Sequence, residues 1–170
     1  SDAVSQLTLL QDEIVALTPD TKFSFRQRIE PVYRNYVELL LSNIEKQTEA
    51  IQQQRLKQAR DAMESLQLAE LQNYFREACL TYQTREIGAL DTHAAIVYPI
   101  VLYKLLEIFV ALPNQPLQHH SVDIEVIDQT SFLQNLLSSL HPLSPVEAVL
   151  PFGQQLYDWL IAPIAPELQQ

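Results

Sequence analysis

The side chains best suited to chemistry are Cys79, the histidines His93, His119, His120 and His141, and the carboxylates Glu107 and Glu125. Cys79 with His119 or His120 would make a nucleophile and its base. That chemistry needs a thiolate beside a base, backbone donors for the oxyanion, and partial exposure. Only two glycines occur, Gly88 and Gly153, so no glycine turn supplies the donors. Cys79 also lies at helical spacing on an apolar face and reads as a small packing residue. His119 and His120 are adjacent in a strand-like stretch. Neighbours on a strand point to opposite faces, so the two cannot chelate one ion together. A structural zinc site would want four ligands, and no Cys or His spacing provides them. Glu107 and Glu125 are conceivable acid/base partners, but nothing in the sequence fixes their separation. Phosphate-cradling loops, dinucleotide fingerprints and nucleophile elbows all need glycine where the backbone approaches a ligand. The residues therefore predict no catalytic group, no cofactor site and no metal site.

The elements that would position these groups begin with Leu66 to Cys79. Leu68, Leu71, Phe75 and Cys79 recur at helical spacing and are the predicted core residues of that helix. An earlier stripe, Leu56, Ala59, Met63 and Leu66, is offset from them by two residues. The offset predicts either a kink near Ser65, with Ser65 capping a second helix, or burial between two layers. Upstream, Val4, Leu7, Leu10, Ile14 and Leu17 mark a first helix over 1–22, stopped by Thr18-Pro19-Asp20-Thr21. Pro31 suits a first helical turn, so a helix starts near Glu30, with Val32, Tyr36, Leu39 and Leu40 inward. The Gln-rich residues 46–55 continue as helix or form a joint.

The periodicity then changes. Ala94 to Leu102, Leu105 to Leu112 and Leu117 to Val122 read as three strands joined by short links, hence antiparallel neighbours. Pro99 cannot donate to a ladder, which puts its strand at an edge or a bulge. A small meander needs a helix layer, and the long helix is the expected backing. Helical pattern returns from Asp123 with Ile127, Phe132, Leu136, Leu137 and Leu140, and His141-Pro142 stops it. A last helix runs from Gln154 with Leu156, Trp159 and Leu160 apolar. Tyr157, Trp159 and Leu160 are the predicted interface residues, because aromatic groups near the end of a segment suit docking. The fold class is α+β: predominantly helical, with a small antiparallel sheet of about three strands backed by a long helix. The expected layout is an N-terminal helix, 1–22, followed by one α+β domain, 23–170, made of a helical part 23–92, a sheet 93–122 and closing helices 123–170.

The 170 residues carry a formal charge of −10. A phosphate backbone is bound by basic patches that release counterions, so no nucleic-acid partner is expected. The one cysteine excludes an internal disulfide. No apolar run reaches the ~18 residues of a membrane span. A soluble, cytoplasmic chain with no membrane partner is the expectation. The sequence opens Ser1-Asp2-Ala3 without Met and is read as a piece of something longer.

Four stretches in order resemble one family. They are Phe25-Arg-Gln-Arg-Ile-Glu-Pro-Val-Tyr-Arg34, Leu56 to Cys79, Val97-Tyr-Pro-Ile-Val-Leu102 with Leu106-Glu-Ile108, and Gln154-Gln-Leu-Tyr-Asp-Trp-Leu-Ile-Ala-Pro-Ile164. Together they are similar to the N-terminal, non-catalytic portion of the CHAT family. These are caspase-like and separase-like domains associated with tetratricopeptide repeats, mostly bacterial. The family's dyad is a His in a His-Gly context and a Cys in a Ser-Ala-Cys context, and this sequence has neither. The turn at Pro113-Asn114-Gln115 also lacks the family's glycine. No repeat at a period of about 34 residues is found inside the chain. The resemblance implies a scaffold or regulatory interface between upstream repeats and a downstream cysteine-peptidase core, itself not an enzyme, with both of those segments as protein partners. The alternative is a free-standing helical interaction or oligomerisation module. An independent small enzyme is the third reading.

Overall fold

The computed structural model describes residues 29–75, 94–124 and 129–168. The chain divides into two compact units, Ser1–Leu90 and Asp91–Gln170. The boundary lies close to the expected junction between helical part and sheet. It separates two bodies with their own buried residues, however, where the sequence suggests one domain over 23–170.

In the first unit, α1 spans Glu30–Leu41 and α2 spans Glu49–Phe75, with a short 3-10 turn at Ile44–Lys46 between them. Pro31 sits in the first turn of α1, where its missing N–H is not needed. Asn43 breaks the chain direction by adopting a left-handed backbone, φ 54°, a conformation Asn tolerates better than most residues. Its Oδ1 accepts a hydrogen bond from Lys46 Nζ at 3.0 Å.

The face α1 buries is not the one its first stripe suggests. Tyr33, Val37 and Leu41 are inside, flanked by Ile29 and Ile44, while Val32 and Leu39 are exposed. Two apolar stripes compete on this helix. The winner is the i, i+4, i+8 ridge that faces a run of small residues on α2. That run is Leu56, Ala59, Ala62, Leu66 and Ala69, all buried. The alanines give the Tyr33 ring room.

This single α2 stripe passes straight through Ser65. The Ser65 hydroxyl donates to the Asp61 carbonyl one turn back, at 2.8 Å, which is how a mid-helix serine satisfies itself. No second helix is capped there. The predicted core positions are corrected accordingly: Leu68 is half-buried and Leu71 is 50% exposed. The Phe75 side chain and Cys79 lie outside the described residues, as does the expected helix over 1–22.

The second unit holds the sheet. β1 is Ile96–Val101, β2 is Leu105–Ala111 and β3 is Gln118–Asp123, in the order β1-β2-β3. Both pairings are antiparallel, with Pro99 opposite Ile108 and His120 opposite Ile108 on the other side. Pro99 thus lies on an edge strand, as its missing donor requires. Asn114, φ 59°, turns the chain between β2 and β3 and stands where a glycine is expected.

β2 is buried on both faces. Leu106, Ile108 and Val110 form one cluster with Ile124 and Ile164, and Val97, Leu112, Val122, Trp159 and Leu160 pack against it. Glu107 and Phe109 are buried on the other face. The cover this unit supplies for its own sheet is therefore its C-terminal helical segment rather than a long helix.

That segment begins with α3, Gln129–Ser139, and α4, Val146–Leu160, followed by a 3-10 turn at Ala162–Ile164 and a short α5, Ala165–Leu168. His141-Pro142 does stop α3. α4 starts eight residues before the expected Gln154 and contains Pro151. A proline in a helix forfeits one backbone hydrogen bond. Here the loss is offset by the apolar inner face that follows. Phe132 of α3 meets Phe152 edge-on at 5.5 Å and Trp159 at 4.9 Å. Among the described residues no helix is long and apolar enough to cross a membrane.

Candidate functional site

Register decides what the two adjacent histidines do. His119 lies opposite Phe109, so it shares the face of Glu107 and Phe109. His120 lies opposite Ile108 and shares the face of the apolar cluster. The pleat therefore sends them to opposite sides, as the sequence indicates.

Each histidine meets a carboxylate. His119 Nε2 is 2.7 Å from Glu107 Oε2, a diagonal pairing across β2 and β3. The Glu107 side chain is only 4% exposed. A carboxylate that deep is costly unless paired, and the imidazole is its partner. Phe109 presses edge-on against the same ring, with centroids 5.3 Å apart. On the opposite face, His120 Nε2 is 3.0 Å from Glu167 Oε1 of α5. Glu167 Oε2 is buried with no hydrogen-bond partner, and so is Gln118 Oε1, which the pleat puts on the same face of β3 as His120.

A carboxylate on one ring nitrogen fixes an imidazole's tautomer and orientation. That is half of a general-base arrangement. Among the described residues, no serine, threonine or cysteine hydroxyl or thiol is hydrogen-bonded to either ring. Ser121 shares the face of His119 and Glu107 but makes no hydrogen bond to them. Among the described residues no group of three or more His, Cys, Asp or Glu side chains is placed to hold a metal ion. The pairs are best understood as clamps that tie β3 to β2 on one side and to α5 on the other. Cys79, Glu125 and His93 lie outside the described residues. His141 accepts the Leu143 backbone N–H at its Nδ1, at 3.3 Å, and holds the turn after α3.

The predicted interface residues separate. Trp159 and Leu160 pack onto the sheet cluster, so they belong to the core of this unit. Tyr157 is half exposed. It does not stand alone. Leu133, Leu137 and Leu140 are exposed on α3 and just past its end, Leu143 in the turn, and Val146 and Leu150 on α4, with Ile161 just past its end. Leu137 is 68% exposed and Leu143 87%.

No protein-family model, curated protein or solved structure matches this chain.

The exposed set has a pattern the sequence carries. Along α3 the spacing is four then three, at 133, 137 and 140. On α4 it is four, three and four, at 146, 150, 153 and 157, with Gly153 as the third member. Nothing lies within 4 Å of where a Gly153 side chain would begin. These stripes sit beside the inward ones, Phe132 and Leu136 on α3, Phe152 and Trp159 on α4. Both helices are thus apolar on more than one side. Reading each helix as having one apolar face assigns Leu137 and Leu140 to the core. From Gln129 to Val146 there is no Asp, Glu, Lys or Arg, and α4 has only Glu147 and Asp158. That charge gap in a strongly acidic chain is the signal the sequence offers.

Proposed function

We propose that this chain works by contact, as a non-catalytic protein-interaction module. The observation that carries the reading is the uncharged apolar surface of the α3–α4 hairpin, where seven large apolar side chains, Leu133, Leu137, Leu140, Leu143, Val146, Leu150 and Tyr157, are exposed. Contiguous exposed apolar surface on a folded protein marks an interaction site. An acidic chain with such a surface has protein, rather than nucleic acid, as its natural partner. The resemblance of the four sequence stretches suggests a setting: the leading portion of a CHAT-type caspase-like peptidase, between tetratricopeptide repeats and the peptidase core. The two histidine–carboxylate pairs then serve rigidity, holding the sheet that carries the hairpin.

The test is to introduce Leu137→Glu and Leu143→Glu together. Both side chains are exposed, so circular dichroism and thermal melting should be unchanged. Association, whether of the chain with itself or with the other segments of its gene product, should be lost. Association that persists in the doubly substituted protein refutes contact through this surface. Peptidase activity in the chain that disappears with Cys79→Ala or His119→Ala would refute the non-catalytic reading itself.

A further inference from the structure

We infer that the partner of the α3–α4 surface is a second copy of this chain, joined through the two hairpins as a four-helix arrangement. The inference rests on the contact reading above and names its occupant.

The spacing indicates a helical occupant. Leu133, Leu137 and Leu140 alternate by four and three, and so do Val146, Leu150, Gly153 and Tyr157. A 4-3 alternation keeps a narrow apolar seam on one side of a helix. Such seams are filled by the side chains of another helix, knobs into holes. An extended peptide, by contrast, reads a sheet edge or a groove. Two antiparallel helices, each with a seam, match another antiparallel pair, the usual composition of a four-helix bundle. Gly153 interrupts the α4 seam with open space and lets a crossing helix approach closely.

Charge selects the copy. The chain carries a formal charge of −10, so two copies repel when most surfaces meet. The hairpin is where this does not apply: Gln129–Val146 has no ionic residue, and α4 contributes only Glu147 and Asp158. Asp158 accepts a hydrogen bond from Gln154 at 2.8 Å on its own helix. A surface without charge has no feature that would select a basic partner. It also has no lysine or arginine to meet an anionic lipid headgroup. A two-fold axis places the same patch on both sides, which an uncharged apolar patch satisfies without any complementary partner. The exposed side chains on α3, α4 and the turn amount to an area on the order of several hundred Å² per copy, the scale of the ~800 Å² per partner of a standard interface.

Sedimentation velocity and light scattering across a concentration series test this on the whole chain. The expected result is a dimer whose dissociation constant rises at least about a hundredfold in Leu137→Glu/Leu150→Glu, since each charge is buried twice across a two-fold interface. Leu39→Glu, exposed in the other unit, should leave the dimer unchanged, and all variants should retain the wild-type melting profile. A monomer at every concentration overturns the inference, and so does a dimer indifferent to Leu137→Glu/Leu150→Glu. Flotation of the wild type with neutral phosphatidylcholine vesicles, in place of dimerisation, overturns it in favour of a lipid surface. If the chain is monomeric yet Leu137→Glu/Leu150→Glu abolishes binding to another segment of its gene product, the second-copy inference fails and the interaction-module reading stands. If the substitutions affect no association of any kind, both fail.

Discussion

Replacing Tyr33 by phenylalanine should stabilise the protein. Tyr33 is fully buried on α1, and its hydroxyl has no hydrogen-bond partner. The ring fills the space over the α2 alanines, so a phenyl ring in its place would keep the packing. What Tyr33→Phe removes is a buried, unpaired hydroxyl. Stranding such a group costs about 1–3 kcal/mol, and Tyr33→Phe should recover about 1–2 kcal/mol of that. Each kcal/mol raises Tm by about 2–4 °C in a chain of this size. A pH signature accompanies the gain. Burial pushes the Tyr33 phenol up from its ordinary value of 10.0. The folded state therefore holds this proton more tightly than the unfolded state does. The corresponding stability is fully present below about pH 10 and is lost as pH rises through the folded value. Urea melts at neutral pH and at about pH 10–11 should show wild type losing more stability than Tyr33→Phe. A Tyr33→Phe protein that is less stable than wild type by more than about 1 kcal/mol would refute the reasoning, because the hydroxyl would then be making a bond worth keeping.

Two further predictions concern the core of each unit. His119→Phe should cost about 3–5 kcal/mol, because it leaves the Glu107 carboxylate buried without its partner. Glu107→Met combined with His119→Leu should recover most of that loss in denaturant melts. A single His119→Phe loss below about 1 kcal/mol would show that the carboxylate is not held by the imidazole. On α2, Leu66→Ala should cost about 2–5 kcal/mol and Leu71→Ala less than about 0.5 kcal/mol. Equal losses at the two sites would place the buried face elsewhere.

Elements are more legible than faces. Pro31 marks the start of α1 because a proline's missing N–H suits only a first turn. The β1–β2–β3 meander follows from short links and β-branched runs. The opposite orientation of His119 and His120 follows from the pleat alone. The partner of His119 does not, because a diagonal pair depends on register, and register is set by turns whose length the sequence leaves open. Asn114 does a glycine's work in one of those turns. On α1, Tyr33-Val37-Leu41 and Val32-Tyr36-Leu39 are both plausible apolar stripes. Only the alanines opposite, on another helix, choose between them. Ser65 resembles a cap because capping and back-bonding use the same hydroxyl. Pro151 resembles a helix breaker and is carried inside α4. Leu137 and Leu140 read as core because a helix apolar on two sides has the same periodicity as one with a wide buried face.

Ile164 completes the sheet's apolar cluster from far downstream of the strands. During synthesis β3 ends at Asp123, so roughly 40 residues must still be made before Ile164 exists. At ~5–20 residues per second that is a delay of about 2–8 s. Throughout it, Leu106, Ile108 and Val110 lack their final cover while β1 and β3 present open edges. The nascent meander is thus most vulnerable to pairing with a neighbouring chain in this interval, and a pause in translation between Asp123 and Ile164 would lengthen the exposure.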